Sequence, residues 1–272
     1  MNTKYRSKSA GLLFIVLAVI SWSCGTSELE EREYELVWQD EFEGPGGQQP
    51  DSTKWVYDIG TGWGNAQLEF DTDLKENCAY DGQGNLFIRA LQKNFGGSAY
   101  TSARITTKDK FEQAYGRFEA RIKLPYGPGI WPAFWLLGAN IDEEPWPQCG
   151  EIDIMEFRGQ EPHLIHGSLH GPGYSGGAAI TKSFSMPETR FDVDFHIYAV
   201  EWGEDFIQFF VDDNLYQELN PEDVTGEWVY DHPFYIILNL AVGGDYVGFP
   251  TSETSFPQTM LVDYVRVYQE VE

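Results

Sequence analysis

The chain alternates. Over residues 115–124, positions 118, 120, 122 and 124 are Phe, Ala, Ile and Leu, while 117, 119, 121 and 123 are Arg, Glu, Arg and Lys. A period of two puts these sets on opposite faces of a strand. Alternation, or a short β-branched and aromatic run, recurs at residues 85–91, 102–107, 206–211, 215–219, 234–240 and 260–268. Helical periodicity is hard to find anywhere, and 28 Gly and 14 Pro punctuate the chain evenly. Many short strands with turn signals predict an all-β sandwich or barrel. Residues 212–214, Asp-Asp-Asn, read as a three-residue hairpin loop. The last strand follows a long irregular stretch, as in Greek-key and jelly-roll connections.

With 272 residues, 42% hydrophobic and 15% aromatic, the chain can bury a sizeable core. A formal net charge of −25 excludes nucleic acid as a partner and disfavours a uniformly anionic substrate. A neutral polymer meets no such penalty.

The N-terminus reads as an export signal. Lys4, Arg6 and Lys8 precede an apolar stretch over residues 11–20, too short for a membrane span, and then Ser21-Trp22-Ser23-Cys24. Cys24 after a small residue resembles a lipoprotein acylation site, although Ser21 and Trp22 match one poorly; cleavage by ordinary signal peptidase is the alternative. The expected division is a signal over 1–23, an acidic tether over 24–33 and a folded domain over 34–272. The expected location is outside the cytoplasm, held to the envelope through lipidated Cys24 or else secreted. That anchor is the sole membrane contact expected. Cys78 and Cys149 allow one disulfide, but nothing in their spacing requires it. A buried thiol is the expectation for Cys149, and without a CxxC pair no cysteine zinc site is expected.

Chemistry concentrates at residues 149–159, Cys-Gly-Glu-Ile-Asp-Ile-Met-Glu-Phe-Arg-Gly. Glu151 and Asp153 share a strand face, whereas Glu156 is one residue out of phase. A β-bulge at Ile154-Met155 would return Glu156 to the acidic face. Such a row costs stability through repulsion and desolvation. A solvated strand face is the bland alternative. Nearby aromatics argue against it: Trp131 and Trp135 are four apart and share a face if extended, which suits stacked sugar rings as well as a core. His166 and His170 are also four apart, but the surrounding Gly and Pro disfavour a helix and there is no HExxH, so the pair is not read as zinc ligands.

The Glu-Ile-Asp-Ile-Met-Glu run, preceded by Gly-Ile-Trp-Pro-Ala-Phe-Trp, resembles glycoside hydrolase family 16, in particular its bacterial laminarinases, which are endo-1,3-β-glucanases. The resemblance covers nearly all of the predicted domain. It continues through Gly62-Trp-Gly-Asn65, Tyr115-Gly-Arg-Phe-Glu-Ala-Arg121, His166-Gly-Ser-Leu-His-Gly171 and Phe256-Pro-Gln-Thr-Met-Leu-Val-Asp263. It implies a β-jelly roll of two curved antiparallel sheets with a concave cleft. It also implies a retaining mechanism with Glu151 as nucleophile, Glu156 as general acid then base, and Asp153 tuning Glu151. Trp131, Trp135 and Trp146 become cleft walls, Asn65 and Arg104 hydrogen-bond sugar hydroxyls, and His170 sits near the acids. Catalysis needs no cofactor. A structural calcium is implied on Glu41, the Gly82 carbonyl and Asp263, ligands of the hard-oxygen kind it prefers. The partner expected is a β-glucan, acted on by a monomer. Mixed 1,3-1,4-linked glucan and a non-catalytic glucan-binding role are the alternatives.

Overall fold

The computed structural model describes residues 32–271. The predicted signal and Cys24 lie outside the described residues. From Glu33 onward the chain forms one compact unit. Among the described residues there is no helix long and apolar enough to cross a membrane, and one short 3-10 turn, Gly176–Ala178, interrupts an otherwise all-β chain.

Among the described residues, seventeen strands, numbered in chain order, build two large antiparallel sheets and one small parallel pair. The first large sheet runs β15 (Asn214–Leu219), β14 (Ile207–Val211), β13 (His196–Trp202), β8 (Gly116–Lys123), β17 (Gln258–Glu270), β5 (Leu86–Ala90), β4 (Cys78–Tyr80), with β1 (Tyr34–Asp40) also paired to β17. The second runs β12 (Ile180–Ser185), β11 (Leu164–His170), β10 (Glu151–Glu156), β9 (Ile130–Gly138), β16 (Phe234–Val242), β7 (Arg104–Thr106), β2 (Val56–Tyr57). Neighbours distant in sequence, such as β8 with β17 and β9 with β16, are the long crossings that a jelly roll requires.

The core fills the space between the sheets. Phe118, Ala120 and Ile122 of β8 are fully buried, as the alternation predicts, with Ile152 and Ile154 of β10 in the same cluster. The outward residues of β8 are tied rather than free: Arg117 donates to Glu119 and Glu201, both at 2.9 Å.

Two local expectations need correction. Residues 102–107 are not one strand. They break at fully buried Ala103, where β6 (Tyr100–Ser102) pairs in parallel with β3 (Glu69–Asp71) and β7 departs to pair with β16 and β2. The hairpin loop after β14 has two residues, not three. Asp212 and Asp213 both have positive φ, 48° and 62°, and Asn214 already pairs with Val211. Two left-handed residues match the twist of a tight hairpin. Cys78 and Cys149 are free buried thiols.

Candidate active site

The acidic row sits on β10, in the middle of the second sheet, and the bulge is where the sequence places it. Asp153 pairs with Ser168 of β11 and Glu156 with His166, so Ile154 and Met155 of β10 together oppose the single Gly167 of β11. Against β9, Asp153 pairs with Trp135, Met155 with Phe134 and Glu156 with Ala133. The extra residue turns Met155 inward: Ile154 and Met155 are both fully buried in the core. Glu156 is thereby returned to the face of Glu151 and Asp153. That face is no solvated surface, since Asp153 is 4% and Glu156 8% exposed.

Each acid has its own partners. The Trp131 indole N–H donates to Glu156 Oε1 at 3.1 Å, and the Ser168 hydroxyl lies 3.5 Å from Oε2. The Trp146 indole hydrogen-bonds Glu151. His170, cross-strand partner of Glu151, puts Nε2 3.0 Å from Asp153 Oδ2 and 3.7 Å from Glu151 Oε1. The Gly176 N–H donates to the other ring nitrogen of His170, Nδ1, at 3.1 Å. Burial pushes all three carboxyls up: Asp153 to about 7, Glu156 to about 8 with the Asp153 charge adding to it, and Glu151 well above the usual range, again with Asp153 second. A row of this kind holds protons at neutral pH, as general acid catalysis requires.

Beyond the acids, Arg104 lies between two indoles, 4.9 Å from the Trp63 ring centroid and 4.8 Å from that of Trp135, and is ion-paired to Asp58 at 2.8 Å. Its cross-strand partner Asn239 accepts the Trp135 N–H at 2.8 Å. Arg104, Trp135 and Asn239 therefore form one wall on the side of β9, β16 and β7. Asn65 sits on a left-handed turn (φ 50°), exposed, with its carbonyl accepting the Asp245 N–H at 2.7 Å. Trp146, 42% exposed, lies on the His170 side, ring centroids 6.0 Å apart. Trp131 differs from the expected sugar platform: it is 9% exposed and its N–H is committed to Glu156. His166 does not act with His170. Its Nδ1 lies 2.8 Å from Ser183 Oγ, and burial with the nearby Arg158 lowers its basicity. Sequence reasoning missed Trp63, Ser168, Asn239 and Tyr246. Asn239 carried a signal, as the one polar residue in an apolar run; Tyr246, in an irregular segment, carried none.

The match to the glycosyl hydrolases family 16 model extends over residues 62–266. The chain belongs to glycosyl hydrolase family 16. It is similar to the β-glucanase of Rhodothermus marinus, 41% identical over 95% of this chain and 94% of the relative. Among solved structures it is similar to the endo-β-1,3-glucanase of Pyrococcus furiosus, with 46% identity, a TM-score of 0.84, and coverage of 90% of this chain and 98% of that one. The laminarinase catalytic domain of Thermotoga maritima MSB8 gives 45% identity and a TM-score of 0.83, over 88% and 100% of the two chains.

Family 16 catalysis needs no cofactor. Two of the residues expected to hold calcium are engaged by guanidinium groups. Both oxygens of Glu41 accept from Arg266, at 2.8 and 2.9 Å, and Asp263 is ion-paired to Arg121. A cation there would compete with two guanidinium groups.

Proposed function

We propose that this family 16 hydrolase is a retaining endo-1,3-β-glucanase acting on laminarin-like glucans. The observation that carries the reading is the bulged acidic row, buried, proton-rich and flanked by indoles. Glu156 would protonate the glycosidic oxygen while Glu151 attacks the anomeric carbon, giving a glycosyl-enzyme and a shortened chain. Glu156, now a carboxylate, would take a proton from water as that water displaces Glu151. Asp153, with His170 against it, would tune Glu151. Burial raises all three acids and the Asp153 charge adds to it at Glu151 and Glu156, so electrostatics supplies the shared protons without naming the nucleophile; that assignment follows the family resemblance. Trapping with an activated fluorosugar and mapping the labelled peptide tests it, and a label anywhere but Glu151 overturns it.

Linkage is tested by product analysis on laminarin, lichenan, agarose and carrageenan. Cleavage of lichenan alone would favour the mixed-linkage reading. Binding without cleavage of any of them would favour a glucan-binding role. The catalytic reading is supported by the presence of all three acids.

The same proposal places the enzyme at the cell envelope, tethered through Cys24 and working as a monomer. Cys24→Ala should leave the membrane fraction, and the released protein should elute as a single copy. A structural calcium on Glu41, Gly82 and Asp263 rests on the resemblance; an unchanged melting temperature after chelation would remove it.

A further inference from the structure

Trp131 is the second residue of β9, and its ring is clamped on one side by Tyr246, with centroids 4.9 Å apart. The Arg158 guanidinium lies 4.1 Å from the Tyr246 ring centroid, and the His166 ring meets Tyr246 edge-on at 6.3 Å. Ala241 and Val247 complete the apolar cluster around Trp131. The Gln160 amide ties this loop down through the Val247 carbonyl at 2.9 Å. An indole ring packed in this way has one polar atom to place, and it places it on Glu156 Oε1.

We infer that Trp131 is a positioning residue for the general acid, fixing which oxygen of Glu156 carries the transferable proton. The inference rests on Glu156 being that acid. An indole nitrogen only donates, so the oxygen it faces must accept. The carbonyl-type oxygen of a carboxyl group is the better acceptor, which assigns Oε1 to that role and the proton to Oε2. Oε2 is the oxygen near Ser168 Oγ, itself 2.8 Å from Thr181 Oγ1, so the proton-bearing oxygen meets only a weakly engaged hydroxyl. Without the indole, the carboxyl could rotate and exchange its oxygens. After proton transfer, the same N–H donates to the carboxylate and favours the charged form.

The ionisable groups facing Glu156 are Glu151 and Asp153 on its own strand, His166 and His170 on β11, Arg158 beyond the strand end, Tyr246 from the loop after β16, and Tyr216 from β15. None of these is altered by Trp131→Phe, which keeps a ring against Tyr246 and deletes the donor.

The test is kcat/KM, which reports the glycosylation step, for Trp131→Phe across pH. With laminarin we expect a loss on the order of tenfold to a hundredfold, carried by kcat with KM little changed. The alkaline limb should move up by about one pH unit, because the charged form has lost a donor. With a nitrophenyl oligoglucoside the loss should shrink, since that leaving group needs little protonation. An unmoved limb with equal losses on both substrates would make Trp131 merely structural and overturn the inference. Should Trp131→Phe fail to fold, Tyr246→Leu, which unseats the ring but keeps the N–H, must show the same substrate-dependent loss; equal losses there would overturn it too. Glu156→Ala separates this inference from the reading beneath it. If that variant hydrolyses laminarin normally, the general-acid assignment falls; if it is inactive and Trp131→Phe shows neither effect, only the role of Trp131 falls.

Discussion

His170 Nε2 lies 3.0 Å from Asp153 Oδ2, and among the described residues Asp153 Oδ2 has no hydrogen bond of its own. Burial raises the Asp153 carboxyl, and its side-chain hydrogen bond with Glu151 offsets only part of that. His170 also favours the charged forms of Glu151 and Glu156. Removing it in His170→Ala should push both glutamates further up. The expected outcome is a pH profile of kcat/KM displaced to higher pH, with kcat lower by roughly tenfold to a hundredfold. An undisplaced profile would show that His170 only fills space.

Stability should fall with pH across the neutral range. Asp153 and Glu156 are raised from 3.8 and 4.5 to about 7 and about 8. Between those limits the folded protein holds protons that the unfolded chain has released, so raising pH favours unfolding. Their contribution is complete below about pH 4 and gone above about pH 8. Glu156→Gln keeps the shape and needs no proton. It should be inactive, match the parent near pH 4.5, and melt several degrees higher at pH 8, on a scale of about 2–4 °C per kcal/mol. Thermal melts at the two pH values decide it: a parallel offset at both would mean the gain is unrelated to ionisation.

A second buried acid pair lies outside the catalytic row. Glu69 and Asp71 share a face of β3 and are 1% and 2% exposed. Burial lifts Glu69 to about 7 and Asp71 well above its usual range, with the Glu69 charge adding to the latter. Glu69 Oε2 accepts the Val242 N–H at 2.8 Å. Glu69→Gln retains that acceptor, so it should raise the melting temperature at pH 8 while changing kcat less than about twofold. Glu69→Ala strands the buried N–H and should melt lower at every pH, by about 1–3 kcal/mol in stability. Destabilisation by Gln at pH 8 would contradict the upward shift that burial gives Glu69.

The parts of the molecule legible in the sequence are those set by short-range phase. The spacing of Glu151, Asp153 and Glu156 breaks a two-residue period once, and only a bulge repairs it, so residue order alone locates the bulge. The core face of β8 follows from the same periodicity. What was not legible depends on partners far away in sequence. Residues 102–107 look continuous until β3 claims one half in parallel. Asp212-Asp213-Asn214 looks like a loop because Asn favours turns, although pairing with Val211 absorbs it. Trp131 and Trp135 have the same spacing relation to a cleft wall, yet Tyr246 covers one and Arg104 flanks the other. Likewise, Glu41 and Asp263 read as free oxygen ligands until Arg266 and Arg121 are seen to hold them.

Met155 gives the most direct test of how the row is built. Its side chain is fully buried, and with Ile154 it forms the bulge by which β10 carries one residue more than β9 and β11. Deleting Met155 would restore strict alternation, with the general acid two residues after Asp153 and on its face without a bulge. The variant should lose the packing of one buried side chain, about 2–5 kcal/mol, and the local bend. It should nonetheless retain measurable glucanase activity, because all three acids still share a face. Inserting Ala between Ile154 and Met155 does the opposite: with the bulge already filled, one further residue turns Glu156 into the core. That variant should be inactive and destabilised by more than the deletion, since it buries a carboxylate among Ile154, Phe157 and their neighbours. Melting curves and laminarin hydrolysis for the pair check this together. An inactive deletion beside an active insertion would mean that the bulge, rather than the shared face, is what catalysis requires.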